Sequence, residues 1–125
     1  MSIILDTGAL IGYERGNAIV RAYLVTAAAD KSNLRTSTAV VAQAWRDGAR
    51  QAPLVRLLRG VEEISLSSSR ARAIGELLRS ARMRDVVDAT LIELANDGDE
   101  ILTSDPADLI QLANHSGKAL KITPV

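Results

Sequence analysis

Acidic side chains occur in three places where they could bind a metal ion. The first is Asp6, and the others are the pairs Asp85 with Asp88 and Asp105 with Asp108. Carboxylate oxygens are the ligands that Mg²⁺ and Mn²⁺ prefer, and carboxylates brought together repel one another unless a cation lies between them. A metal ion held in this way activates a bound water and stabilises negative charge on phosphorus. The three positions together therefore indicate hydrolysis of a phosphodiester.

Each of these acids also has a purely structural interpretation. Asp85 and Asp105 are suited to cap the N-terminus of a helix. Asp88 and Asp108 then fall at the third helical position, where an acid complements the helix dipole. Asp88 fits less well, because the residues that continue its side of the helix are apolar and an unpartnered buried carboxylate costs free energy. Capping and metal binding both stay open for these residues.

The composition excludes several other kinds of site. The chain of 125 residues has no cysteine and one histidine, His115, so thiolate nucleophiles, disulfides, iron–sulfur clusters, zinc fingers and multi-histidine metal sites are excluded. Only Trp45, Tyr13 and Tyr23 are aromatic, so the stacking surface of many single-strand-binding proteins is missing. Fifteen basic residues balance fifteen acidic ones, which argues against a uniformly basic nucleic-acid-binding protein.

The charges are nevertheless segregated along the chain. In residues 46–84 nine arginines outnumber four acids, whereas residues 85–108 contain eight acids and no lysine or arginine. If the two regions are neighbours in the fold, the basic one can hold a nucleic-acid backbone beside cations bound by the acidic one. Solvated helix faces are the alternative interpretation.

The acids are positioned by alternating strands and helices. Strands are predicted at residues 3–5, 34–36, 61–66, 101–103 and 120–123. Helices are predicted around residues 8–13, 20–27, 38–48, 54–59, 69–81 and 85–95, and from Pro106 onwards. This alternation predicts an α/β sandwich with a mainly parallel sheet of four to five strands in one domain, because parallel neighbours need crossover helices. Sites in such sheets collect at the carboxyl ends of the strands, where Asp6 and Asp105 are expected.

Three motifs resemble those of a known family. Leu5–Ile11 is similar to the opening strand and turn of PIN-domain ribonucleases, Asp88–Ile92 to their helix-borne acidic motif, and Leu102–Asp105 to their late strand and fourth acid. The ordered set extends over nearly the whole chain and most closely resembles the VapC-type toxins of bacterial toxin–antitoxin pairs. The resemblance implies a PIN-like three-layer α/β/α sandwich and a Mg²⁺- or Mn²⁺-dependent endoribonuclease. It also implies a homodimer and a small cognate antitoxin whose tail occupies the active-site groove.

The resemblance also implies roles for individual residues. The catalytic metal ligands would be Asp6, Asp88 and Asp105, and the direct or water-mediated helpers would be Asp85 and Asp108. A metal-bound water would attack the RNA, so no side chain is needed as nucleophile. Thr7 and Ser104 would orient ligands or water from behind the acids, with helix capping as the alternative.

One position departs from the family's pattern. The family usually carries a glutamate on the helix after the second strand, and this chain has Gln43 there. An amide oxygen can contact a metal or water but brings no charge, so weaker metal binding is expected. Asp47, one helical turn further on, is a candidate substitute. Arg46 and Arg50 share a helical spacing with Gln43 and are expected to flank the pocket and bind RNA, with a solvated face as the alternative.

Two other functions are consistent with an α/β chain of this length. A receiver domain of two-component signalling also binds metal through acids, but it needs an acidic phosphoacceptor at the end of the central strand, and residues 64–67 have none. A PIN-like module that has lost turnover and binds protein or RNA is the stronger alternative, because Gln43 replaces an acid. The sequence shows no signal peptide and no apolar run of membrane-spanning length, so a cytoplasmic protein without membrane association is expected.

Overall fold

The centre of the molecule is a five-stranded sheet in which every strand is parallel to its neighbours. The structure, a computed structural model, describes all residues from Met1 to Val125. The strands are β1 (Ser2–Leu5), β2 (Asn33–Ser37), β3 (Val61–Ile64), β4 (Glu100–Thr103) and β5 (Lys121–Pro124), in the order β3-β2-β1-β4-β5. The predicted α/β fold with a parallel sheet of four to five strands is confirmed.

Seven helices cover the two faces of this sheet. They are α1 (Thr7–Glu14), α2 (Ala18–Ala29), α3 (Thr38–Ala44), α4 (Ala52–Leu58), α5 (Ser68–Ala81), α6 (Val86–Leu94) and α7 (Pro106–Ser116). Because crossovers between parallel strands are right-handed, the connections from β1 to β3 lie on one face and those from β3 to β5 on the other. Accordingly α1 packs with α2, α3 and α4, while α5, α6 and α7 pack together. None of the helices is both long and apolar enough to cross a membrane.

The two central strands are buried on both faces. Ile4 and Leu5 in β1 and Ile101 and Leu102 in β4 have no exposed side-chain surface. This is the burial that the short continuous apolar runs predict for strands in a covered parallel sheet. The central strands therefore form a rigid platform, and the residues that directly follow them are held at fixed positions.

The helix predicted at residues 38–48 is too long. In the structure α3 ends at Ala44, and a separate 3₁₀ turn follows at Gly48–Arg50. The side chain of Gln51 stabilises the break, because its Oε1 accepts hydrogen bonds from the backbone N–H groups of Arg46 and Asp47 at 2.7 and 2.9 Å. Its Nε2 donates to the carbonyl of Ala44 at 2.9 Å. A buried glutamine thus replaces the hydrogen bonds that a further helical turn would have made.

The C-terminal end of α6 is capped by two basic side chains. Lys118 Nζ donates to the carbonyls of Ile92 and Glu93, at 2.9 and 2.7 Å. The guanidinium of Arg35 in β2 donates to the carbonyl of Leu94 at 3.2 Å. The last carbonyls of a helix have no partner within it, and cations near them also interact favourably with the helix dipole. The two cations therefore fix one end of the helix that carries Asp88 at the other.

Candidate active site

The carboxyl ends of β1 and β4 bring two of the predicted acids to one edge of the sheet. β1 and β4 are neighbours, with Leu5 opposite Leu102 in the register, and Asp6 directly follows β1. Asp105 comes two residues after the end of β4. Adjacent strands lie only about 5 Å apart, so residues that follow them at the same edge are close neighbours.

Asp6 is held by hydrogen bonds to both of its carboxylate oxygens. One oxygen accepts from the backbone N–H of Gly8 at 3.3 Å, which caps α1. The other accepts from the hydroxyl of Thr103, a completely buried side chain at the end of β4. The hydroxyl oxygen of Thr103 in turn accepts from the backbone N–H of Asp105 at 3.0 Å. One buried hydroxyl therefore links the two strand-end acids.

Asp88 lies on α6 and faces this edge. Asp85 caps the helix by accepting a hydrogen bond from the backbone N–H of Asp88 at 3.0 Å. The pKa of the half-buried Asp88 carboxyl is raised from 3.8 to about 7, first by burial and then by the negative charges of Asp85, Asp6, Asp108 and Asp105. Those four carboxylates act on Asp88 only because the fold brings them near it. The structure thus brings together the five acids that the sequence singled out from three separate segments.

Asp105 and Asp108 differ from the other acids in their freedom. Asp105 occupies the position before α7, but its side chain makes no capping hydrogen bond. Asp108 lies in the first turn of the same helix, and both residues are exposed. Capping therefore accounts for Asp6 and Asp85 in part and leaves the carboxylate of Asp105 without a structural role.

The residue types at this edge fit a hard divalent cation. All the donors are carboxylate oxygens, and a half-buried carboxyl surrounded by negative charge lacks a compensating cation. The side chains are not arranged as a finished site, since no group of three or more acidic or histidine side chains is placed to hold one ion. The fit is therefore one of ligand chemistry and proximity.

Gln43 reaches the same region from α3. Its Oε1 accepts a hydrogen bond from the hydroxyl of Thr7 at 2.7 Å, so α3 and the start of α1 are joined beside Asp6. Ser104 is exposed and lies against Gly8, where an added Cβ would come within 2.0 Å of the Ser104 Oγ. Both hydroxyl residues predicted to support the acids thus lie next to Asp6 in the structure.

Arg46 and Arg50 do not share a helix with Gln43, contrary to the sequence prediction. The chain turns after Ala44, and the guanidinium of Arg46 donates to the carbonyls of Ala42 and Trp45 at 3.0 and 2.7 Å. Arg50 lies 3.7 Å from Asp47 in an exposed ion pair. Asp47 itself caps the 3₁₀ turn, where its carboxylate accepts from the backbone of Ala49 at 3.1 Å. The helical argument that placed Asp47 one turn beyond Gln43 is therefore wrong.

Thr103 is the site residue that sequence reasoning missed. It is a hydroxyl inside an otherwise apolar, fully buried strand, and it directly precedes the acidic Ser104–Asp105 turn. A buried hydroxyl must find a hydrogen-bond partner, so its position beside two candidate acids was the available signal. A second pair of buried hydroxyls, Thr90 and Ser37, lies 2.8 Å apart where α6 crosses the end of β2.

The comparison with solved structures identifies the fold. No protein-family model matches the sequence, and no curated protein sequence matches it. The structure is similar to a chain in the crystal structure of VapBC2 from Rickettsia felis bound to a DNA fragment from their promoter, with a TM-score of 0.71 over 98% of both chains. The two sequences are 16% identical. The chain therefore has the PIN-like α/β fold, with its converging acids at the carboxyl edge of the parallel sheet.

Proposed function

We propose that this protein, as a single PIN-like domain over residues 1–125, is a metal-dependent endoribonuclease that hydrolyses RNA phosphodiester bonds. The observation that carries the proposal is the raised pKa of Asp88, because burial and four further carboxylates cause it. So many unneutralised acids at one edge of a sheet destabilise a protein. Their presence is explained if a cation and a phosphodiester occupy that edge in the working enzyme.

Asp6, Asp88 and Asp105 would hold Mg²⁺ or Mn²⁺, and Asp85 and Asp108 would add charge or bind through water. When bound, such a cation lowers the pKa of a coordinated water and stabilises negative charge on the phosphate. The chain's own residues do the positioning. Thr103 fixes the carboxylate of Asp6 and the backbone of Asp105 through one hydroxyl.

RNA recognition would rest on charge. The chain has only three aromatic residues, so the substrate is held chiefly by its backbone. Arg46 and Arg50, which follow α3 and are exposed, remain candidates for phosphate contacts although they are not on one helix with Gln43. Contacts of this kind weaken as salt rises, since bound cations of the RNA are no longer released so favourably.

The toxin component of a toxin–antitoxin pair is the cellular role we infer. The structural neighbour is the VapBC2 complex, bound to DNA from its promoter. By analogy, the partners of this chain would be a cognate antitoxin protein and a second copy of itself, in the cytoplasm.

A catalytically weak PIN-like module that binds protein or RNA is the second candidate. Gln43 favours it, because this side chain brings no charge to the edge and its oxygen is already engaged by Thr7 at 2.7 Å. Cleavage activity separates the two candidates, since both predict an intact fold and RNA binding.

The test is cleavage of a mixed RNA pool by the purified protein with Mn²⁺, with Mg²⁺ and with a chelator. Asp88→Asn removes the central acid, and Asp97→Asn is the matched control because Asp97 lies in the turn before β4 and accepts from the backbone of Ala119. Cleavage that requires metal, is lost in Asp88→Asn and persists in Asp97→Asn supports the nuclease. A folded protein that binds RNA without cutting it under any of these conditions supports the binding module.

A further inference from the structure

An open cavity away from the acidic edge contains a lysine, a histidine and two glutamates. Its volume is about 410 Å³, and it lies among α5, α6 and the end of α7. Its polar lining includes Glu76, Glu93, His115 and Lys118. None of these residues takes part in the proposed nuclease site, so the cavity needs its own explanation.

The Lys118 amine is held in a way that suits its neutral form. Two of its N–H groups donate to the carbonyls of Ile92 and Glu93, and no ion pair involves the nitrogen. A neutral amine still has two N–H groups, so it keeps both hydrogen bonds after losing its third proton. Burial lowers the pKa of Lys118, opposed by Glu93 and reinforced by Arg70. The amine is therefore neutral more often than that of an ordinary surface lysine.

His115 supplies a proton acceptor in the same cavity. Its Nδ1 lies 3.0 Å from the carbonyl of Gln111, and a carbonyl can only accept, so neutral His115 carries its proton on Nδ1. The Nε2 of this tautomer is free to accept a proton. It is the only imidazole in the chain. A nucleophilic amine and a base thus line one open cavity.

We propose that Lys118 is an acylation site that reacts with small acyl phosphates. The lone pair of the amine forms a bond to the acyl carbon, and the bond from that carbon to the phosphate oxygen breaks. Phosphate leaves with the electron pair, and the surplus proton of the amine passes to His115. No group is oxidised or reduced.

Acylation at this position would also loosen α6. An acylated lysine has no charge and a single N–H, so it cannot hold both carbonyls at the end of the helix. At least one of them loses its partner, and the cationic interaction with the helix dipole is lost. The modified protein should therefore unfold at a lower temperature than the unmodified one.

The experiment measures the acetylation rate of each lysine by mass spectrometry during incubation with acetyl phosphate. The chain offers internal controls, because its only other lysines are the exposed Lys31 and Lys121, whose side chain is 73% exposed and pairs with Glu100. We expect Lys118 to react several-fold faster than both in the native protein and no faster in urea. A native Lys118 rate equal to or below that of Lys31 would overturn the proposal.

A second variant tests the base. His115→Gln should slow acetylation of Lys118 several-fold and leave the rates of Lys31 and Lys121 unchanged. An unchanged rate at Lys118 would contradict the assigned role of His115. Neither result depends on whether the protein cleaves RNA.

Discussion

The hydroxyl of Thr103 donates a hydrogen bond to Asp6 and accepts one from the backbone N–H of Asp105, 3.0 Å away. Thr103 is completely buried, so it has no competing water. The two strand-end acids therefore take their relative position from one side chain. This relationship makes Thr103 as informative a target for mutation as the acids.

Thr103→Val keeps the shape of the side chain but removes both hydrogen bonds. We expect the free energy of unfolding to fall by about 1–2 kcal/mol, because the Asp6 carboxylate and the Asp105 N–H lose a partner. Mn²⁺ binding, measured by calorimetry, should weaken as well. Thr103→Ser retains the hydroxyl and should restore the affinity for Mn²⁺. Equal Mn²⁺ affinities in the valine and serine variants would show that the hydroxyl does not position the acids.

Asp88→Asn should make the protein more stable at neutral and alkaline pH. The pKa of Asp88 is about 7 in the folded state and near 3.8 in the unfolded state, so folding favours the protonated form. This contribution to stability is complete below pH 4 and is lost as the pH rises to about 7. Since water screens a half-buried carboxyl, the asparagine variant should gain about 1 kcal/mol at pH 8 and nothing at pH 3.5.

Thermal unfolding from pH 3.5 to 8, with and without Mg²⁺, checks this prediction. Mg²⁺ should stabilise the wild-type protein at pH 8 more than the Asp88→Asn variant, because the cation offsets the same repulsion. A difference between the two proteins that does not change with pH would contradict the assigned cause.

Gln43→Glu should tighten the binding of divalent cations. The substitution adds a carboxylate beside Thr7 and Asp6 without changing the size of the side chain. We expect about a tenfold gain in Mn²⁺ affinity, equivalent to about 1.4 kcal/mol. Gln43→Leu is the matched control, which removes the amide and adds no charge. If the glutamate variant binds Mn²⁺ no better than the wild type, Gln43 lies outside the site.

Gly8→Ala should destabilise the protein because of a close contact between α1 and the turn after β4. The new Cβ would lie 2.0 Å from Ser104 Oγ and 2.7 Å from Ser104 Cβ. We expect a loss of about 1–3 kcal/mol in the free energy of unfolding. Ser104→Gly in the same chain should recover part of it by removing both atoms.

Gly75→Ala is the control for this substitution. Gly75 lies within α5 and has no atom within 4 Å of the position of an added Cβ. Alanine there should stabilise the protein by up to about 1 kcal/mol through helix propensity. A loss of stability at Gly75 similar to that at Gly8 would mean that the Ser104 contact is not the cause.

The sequence predicts well what depends on local patterns. The apolar runs around Ile4 and Ile101 mark the buried strands, and Asp6 and Asp105 follow them directly, so the acidic edge could be expected before the structure was known. The approach of Asp88 to the same edge depends on how α6 packs. It was expected from the resemblance to a family.

Other features depend on single long-range contacts that no local pattern reports. α3 ends at Ala44 because the side chain of Gln51 binds the backbone of the turn. The link through Thr103 joins residues that lie 97 positions apart in the chain. The capping of α6 by Lys118 and Arg35 likewise becomes visible only when the helix is seen in place.

The most direct test of the central claim is the single-turnover rate of RNA cleavage in Mn²⁺ for three separate variants, Asp6→Asn, Asp88→Asn and Asp105→Asn. Asp97→Asn serves again as the control, and circular dichroism verifies that each variant is folded. If the converging acids form one metal-dependent site, each of the three variants loses at least about 100-fold in rate and the control loses none. A folded variant of any of the three acids that cleaves at the wild-type rate would contradict the account.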